Sequence, residues 1–564
     1  MSEFIASNIA PIMFGSLLLF LLTGFPVAFA LAATGMSFGW LAVELGLVPA
    51  QFFNALPLRL YGIMANDVLL AIPFFTFMGL ILERSRMAED LLDTIGQVFG
   101  PMRGGLAIAV VLVGAMLAAT TGVVAASVIS MGLISLPIMM RYGYSRPLAA
   151  GVITASGTLA QIIPPSIVLI VIADQLGQSV GDMYKAAFVP AFMLVAIYVL
   201  MMMMLAVVRP KWVPPLPPEA LIYHEKNGNT GHKSLGILSL ASVIVGHQVF
   251  TNWPVIKGWL GGDPAFTPPT DEKVVMALVI GIGFAWLVAV FDKLLRINAL
   301  STLARQVTFV LIPPLLLVFL VLGTIFLGLA TPTEGGAMGA AGAVLMALAR
   351  RRLGGTLLHQ ALDSSTRLSI FVIFVLIGST IFALTFQAID GPVWVKALFM
   401  ALPGGELGFL LFVNVLIFIL GCFLDFFEIA FILLPLLLPV LREMDINLVW
   451  FGVMVALNLQ TSFLTPPFGF ALFYLRSVAP KEDYVDSVTQ RRIAAFKTGD
   501  IYKGAVAFVV LQVIMVAAVL WKPQIVLYGL GEVKVLDVES VDLNITPIEE
   551  EEEPPPSFGP APSN

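Results

Sequence analysis

The sequence predicts an all-α membrane protein built as an inverted repeat, with two re-entrant helical hairpins and broken helices. Three observations carry that expectation. Apolar residues make up 59% of the 564 and charged residues 12%, about half the charged share of a soluble protein. The charges fall in short intervals between apolar runs that reach the roughly 20 residues needed to cross a bilayer. A proline pattern also recurs: Pro101, Pro137 and Pro164-Pro165 return as Pro403, Pro439 and Pro466-Pro467, each displaced by 302 positions. Three coincidences in one register are hard to produce by chance.

Crossings are expected near 8–23, 26–43, 68–82, 147–173, 186–208, 234–252, 274–291, 306–329, 331–349, 368–387, 447–475 and 504–521. The chain opens Met1-Ser2-Glu3-Phe4, without the basic stretch of a cleavable signal peptide, so the first run is expected to stay as a helix. The stretch 49–66, with Asn54 and Arg59, is expected along the membrane surface, and the run Met201 to Met204 against lipid.

Gly104 to Met140 carries no charged residue. As one helix it would be roughly 55 Å long, nearly twice the hydrocarbon core of about 30 Å. Its middle, Thr120-Thr121-Gly122, is polar and flexible, while Arg103 at one end matches Arg141 and Arg146 at the other in sign. A hairpin over 104–140 that returns to its own face satisfies all of this; two complete crossings with a tight turn are the alternative. The repeat makes 408–441 the second hairpin. Between the proline sets lie seven crossings, if the hairpin counts as none. Seven is odd, so the halves face opposite ways, the hallmark of secondary transporters.

Charge tests that topology. Basic residues in 84–103, 141–146, 209–233, 293–305, 350–367 and 481–503 then share one side, and the opposite loops hold few, such as Arg59, Lys185, Lys257, Lys396 and Arg442. The positive-inside rule makes the first side cytoplasmic, with the second hairpin's ends and both termini outside. The units expected are a first repeat over 1–210, a polar linker and inserted helix pair over 211–300, a second repeat with the last helix over 301–530, and a disordered acidic tail over 531–564.

The first candidate site is the break from Ser156-Gly157-Thr158 through Ile163-Pro164-Pro165-Ser166. Successive prolines remove backbone donors and clash with the preceding turn. The freed carbonyls and hydroxyls suit sodium, and the half-helix N-terminus beyond them suits an anion. Non-helical backbone is tolerated at membrane depth only where protein encloses it. Alone, this break reads more plainly as a proline kink. The hairpin tip and the mirrored break, Asn458, Gln460-Thr461-Ser462 and Thr465-Pro466-Pro467, favour a site. Sodium ligands are expected among Gly122, Ser156, Gly157, Thr158, Gly421, Asp425, Thr461 and Ser462. Substrate contacts are expected from Thr120, Thr121, Ser166, Asn458 and Thr465. Asp425 is either a sodium ligand or a carboxylate near outer water, and Glu428 faces the same choice. Thr331 or Thr333 is expected to cap the following helix, with Glu334 in its first turn.

No Arg or Lys falls in either hairpin interior or either break, so an anion there is held by sodium, hydroxyls and helix dipoles. The lone Cys422 excludes disulfides and a cysteine-rich metal site. The net charge of −6 owes much to the run Glu549 to Glu553, and no nucleic-acid partner is expected. No His-Glu-x-x-His or Gly-x-Ser-x-Gly motif supports an intramembrane enzyme. No cofactor is expected beyond sodium as the coupling ion.

At these motifs the sequence resembles the large membrane subunit of tripartite ATP-independent periplasmic (TRAP) transporters. The carrying stretches are Pro101-Met102-Arg103-Gly104-Gly105-Leu106-Ala107, Arg141-Tyr142-Gly143-Tyr144, Gly157 through Pro164-Pro165-Ser166, Thr331-Pro332-Thr333-Glu334 and Thr465-Pro466-Pro467-Phe468-Gly469. The resemblance implies an elevator-type, sodium-coupled permease in the bacterial inner membrane that moves a small organic anion. It also implies a small four-helix membrane subunit and a periplasmic substrate-binding protein as partners. The chain departs from the family pattern in its inserted helix pair, its long tail, and Val123 where many relatives place serine after the glycine. A self-sufficient sodium–dicarboxylate symporter of related fold remains the alternative.

Overall fold

The computed structural model describes residues 2–223, 231–259, 268–486 and 488–530; the acidic tail expected at 531–564 lies outside them. Eight of the helices described are long and apolar enough to cross a membrane. The proline register is a structural one. Val124–Arg141 closes the first hairpin and Phe426–Glu443 the second, with both bounds displaced by 302. Arg146–Thr158 then gives way to a 3-10 turn, Leu159–Gln161, the prolines, and the half-helix Ile167–Leu176. In the second repeat Leu448–Phe463 gives way to Phe470–Val478. Both Pro-Pro bonds are cis. The second break is tight enough to require Gly469, where a Cβ would meet the Thr465 backbone at 2.9 Å.

The two repeats interlock. Val27–Glu44 packs on Gly355–Ala388. Their register mates, Pro332–Ala349 and Ala71–Arg84, pack on each other. A contact accompanied by its exchanged copy is what a two-fold relation produces. Small residues allow the approach: a Cβ at Gly35 would meet Ile381 backbone at 2.9 Å.

The six basic segments gather at one end of the molecule. Arg84 bonds Gln360 at 3.0 Å, and Asp90 pairs with Arg350 at 2.9 Å and Arg352 at 2.7 Å. Leu216 N–H bonds the Gly100 carbonyl, and Ser145 N–H that of Trp212. Arg141 pairs with Asp486 at 3.0 Å, and the Ser301 hydroxyl donates to the Gly231 carbonyl. Gly355–Ala388, 34 residues and about 51 Å long, leads from that end to the other. There Gln387 accepts from Arg59, Asn66 donates to Asp174, and Lys396 pairs with Glu443. The first hairpin therefore begins and ends at the basic face and the second at the opposite face. Both are re-entrant, as the repeat and the charges implied.

Local details refine or correct several expectations. Met87–Phe99 and its mate Gly391–Met400 are additional helices before each hairpin; the first shows Met87, Ala88, Leu91, Leu92 and Ile95 on one face and Glu89, Asp90 and Asp93 elsewhere. The stretch 49–66 is a 3-10 turn and the helix Ala55–Met64, which buries no residue and bends by 46° against Asp67–Arg84. Met201 and Met202 are buried, so only Met203 and Met204 of the methionine run are exposed. The inserted pair, His232–Trp259 and Thr270–Leu294, packs on Thr302–Phe326 around a separate small cluster of Leu238, Ala285 and Ile312. Thr331 and Glu334 form the expected capping box.

Candidate functional site: two hairpin tips seated on two helix breaks

The tip of each hairpin meets its own repeat's break. Gly105–Thr121 stops at Gly122, whose φ of +60° and N–H bond to the Ala118 carbonyl make it a left-handed cap. A Cβ there would meet Ile167 N and Pro165 O at 3.4 Å, so the tip lies on the far lip of the first break. The hairpin arms run along the near side: a Cβ at Gly114 would collide with Ser156, and one at Gly157 with Val128. In the second repeat a Cβ at Gly421 would collide with Ser462 Oγ, and Cys422 Sγ contacts the Ser462 carbonyl at 3.9 Å. A tip wedged on a break is incompatible with two complete crossings.

The hydroxyls at these meeting points share one arrangement. Thr158 donates to Ala155, Ser156 to Val152, Thr461 to Leu457, Ser462 to Leu459 and Thr465 to Thr461. Thr120 and Thr121 both donate to Leu117 at 2.9 Å, and Ser166 donates to the Gln161 carbonyl at 2.8 Å. The Thr121 hydroxyl is also shared with Ser127 Oγ at 2.8 Å; the other hydroxyl hydrogens are committed to backbone, so their oxygens keep lone pairs with which to accept. That set suits a hard monovalent cation. Among the described residues no three His, Cys, Asp or Glu side chains come together for another metal.

Other expected residues also make structural contacts. Asp425 caps the second hairpin's outer arm, accepting from Phe426 N–H at 2.8 Å, while Glu428 accepts from Asp425 N–H at 3.0 Å. Asn458 spends its amide on Asn414, at 2.7 Å to the carbonyl and 2.8 Å to the side chain, which braces hairpin to broken helix. The two sites also differ in closure. Every residue from 156 to 166 is buried, whereas Phe423 and Phe468, with rings 4.9 Å apart, are 54% and 46% exposed at the second. A cavity of about 520 Å³ lined by Phe188, Phe319 and Phe326 lies away from both breaks, beside the inserted pair.

Sequence reasoning placed Thr158 and Gln460 at the two breaks but missed that they meet, with Tyr198 and Gln512, in one polar cluster. Gln460 Nε2 donates to Thr158 Oγ1 at 3.4 Å, and the two residues are separated by 302. Gln512 Nε2 donates to the Tyr198 hydroxyl at 2.7 Å, and Tyr198 also lies within hydrogen-bonding reach of Gln460. Gln161, fully buried, has neither amide atom partnered. A glutamine in a charge-free run was the available signal.

Re-entrant hairpins of opposite entry, seated on paired breaks within an interlocked repeat, define a class: multi-pass inner-membrane permeases of the secondary-transporter type. The family described as "Tripartite ATP-independent periplasmic transporter, DctM component" matches residues 14–246 and 272–525, and the chain belongs to it. The unmatched interval falls inside the inserted pair. The chain is 28% identical over 442 residues, 78% of its length and 83% of the relative's, to the C4-dicarboxylate TRAP transporter large permease protein DctM of Pseudomonas aeruginosa. It is 25% identical to the 2,3-diketo-L-gulonate TRAP transporter large permease protein YiaN of Escherichia coli, covering 83% and 90% of the two chains. It is 24% identical to the isethionate TRAP transporter permease protein DctMQ of Oleidesulfovibrio alaskensis, covering 83% and 60%. The Alcanivorax borkumensis YdaH transporter superposes with a TM-score of 0.48 at 12% identity, covering 85% and 88%, too low to carry an argument.

Proposed function

We propose that this chain is the carrier subunit of a sodium-driven, elevator-type transporter for a small organic anion delivered by a periplasmic binding protein. The observation that carries the reading is the pair of tip-on-break contacts, Gly122 with Pro165 and Ile167, and Gly421 with Ser462. Both are ringed by neutral oxygens and free of Arg and Lys. Such a site attracts a cation first. The bound cation, with the N-terminal dipoles of the half-helices beyond the prolines, then offsets the charge of an anion. Thr120, Thr121, Ser166 and Thr465 stand at the same lips and supply hydroxyl contacts. The relatives named for C4-dicarboxylate, 2,3-diketo-L-gulonate and isethionate all concern small organic acids, which supports an anionic substrate. A small membrane subunit completes the assembly.

The test is uptake into proteoliposomes under an imposed sodium gradient, with and without the binding protein and the small subunit. Concentrative uptake only in the full assembly, abolished when potassium replaces sodium, is expected. Robust uptake by this chain alone would refute the tripartite reading and promote a simple symporter. Uptake indifferent to sodium would refute the coupling.

A further inference from the structure

The cluster on the two-fold axis contains an odd feature: it has more acceptors than it uses. Thr158, Tyr198, Gln460 and Gln512 are all at most 2% exposed. The side-chain oxygens of Gln460 and Gln512 have no partner, although both amide nitrogens are engaged. A buried carbonyl left unpaired is destabilising, so an arrangement that uses it is favoured whenever one exists.

The Thr158 hydroxyl gives its hydrogen to the Ala155 carbonyl at 2.9 Å, so it meets Gln460 only as an acceptor. With Nε2 turned toward Thr158, the amide is a donor, and its positive edge opposes a cation at the first break. A half-turn of the carboxamide exchanges the two atoms. Oε1 then faces Thr158, which is unfavourable for two bare acceptors but favourable once a cation lies between them. The same turn carries Nε2 away from both acceptors it serves now, Thr158 and the Tyr198 hydroxyl that Gln512 holds, so Tyr198 favours the unturned amide. Gln460 directly precedes Thr461 and Ser462, which line the second break. The tether to Thr158 is thus attached one residue before the second site. Tyr198 packs edge-on against Phe508 at 5.2 Å, which fixes the far end of the network on the last helix.

We propose that Gln460 is a positioning residue that couples the two helix breaks: occupation of the first by sodium turns its amide and thereby changes the sodium affinity of the second. This rests on the sodium reading above. Because the residue lies on the axis, one side chain serves both sites, and the coupling is reciprocal.

The experiment is binding of radiolabelled sodium to the purified full chain in nanodiscs. Wild type is compared with Gln460→Met, which keeps length and loses both amide atoms, and Tyr198→Phe, which loses only the hydroxyl. Wild type is expected to bind with a Hill coefficient clearly above unity. Gln460→Met is expected to fall to about 1 at unchanged saturation, with Tyr198→Phe between them. Both variants retaining the wild-type coefficient, or losing capacity without changing it, would overturn the coupling, as would a wild-type coefficient of about 1. In each of these cases wild type still binds sodium. No sodium binding by wild type would overturn both readings. Should Gln460→Met not fold, Tyr198→Phe decides alone.

Discussion

Gln460 and Thr158 are the same position in the two halves of the chain, and they touch: the amide nitrogen of one reaches the hydroxyl of the other at 3.4 Å across 302 residues. A residue in contact with its own repeat mate lies on the symmetry axis, so the axis passes between the two breaks. The sites are therefore neighbours within one transport unit.

The topology gives the first expectation. Gly143 and Asp445 are register mates, both exposed and both at positive φ in the turns that follow the hairpins. Single cysteines at these positions, in a Cys422→Ala background, should react with a membrane-impermeant thiol reagent from opposite sides. Labelling of both from the same side of intact cells would exclude the inverted arrangement.

Sodium dependence gives a second. Thr158→Val and Thr461→Val each delete one oxygen at similar volume. If each oxygen contributes about 1.5 kcal/mol to a bound ion, half-saturating sodium for uptake should rise roughly tenfold. Unchanged sodium dependence in both variants would leave these hydroxyls as helix-kink residues only.

The second tip gives a third. Gly421→Ala drives a methyl group into Ser462 Oγ and should reduce uptake by at least about tenfold, as misplaced groups at a site commonly do. Removing the obstruction with Ser462→Gly in the same chain should recover part of the loss, read as initial rate at equal amounts of reconstituted protein. No loss from Gly421→Ala would mean that the tip does not need to seat.

A fourth concerns pH and the basic rim. Burial pushes the Asp486 carboxyl up, but the Thr489 N–H and hydroxyl and the Arg141 guanidinium together hold it below its usual value of 3.8. The folded state therefore binds this proton less readily than the unfolded one. The stabilisation is fully present above the unfolded value and is lost as pH falls through the folded one. Asp486→Asn should lower stability by about 2 kcal/mol at neutral pH and flatten the acid side of a melting-temperature profile. An identical acid limb in the variant would remove Asp486 from the account.

Much of this was legible in the sequence because lipid simplifies the code. Apolar runs must be helices or hairpins there, basic residues mark one face, and prolines paired by 302 positions mark both breaks. The amphipathic helix Met87–Phe99 and the short apolar helix Gly391–Met400 escaped because, at 13 and 10 residues, each is too short to span by itself. Asp425 shows the limit from the other direction. A carboxylate in an apolar run signals expense but not purpose, and only the backbone geometry of Phe426 makes it a cap.

By itself the sequence determined the membrane class, the repeat, its inversion, the two hairpins and which hydroxyl and carbonyl atoms stand near the breaks, since each follows from local composition or from one register. What only the tertiary structure decided is which of those atoms meet. The choice of Ser462 as the seat of Gly421, the enclosure of the first break beside an exposed second, and the convergence of Tyr198, Gln460, Gln512 and Thr158 on one axis all depend on helices distant in sequence interlocking. Local pattern carries no record of that interlocking, because the packing of one repeat against the other is fixed by shape at glycine crossings such as Gly35 on Ile381 and Gly378 on Ala28, and shape complementarity belongs to pairs of surfaces.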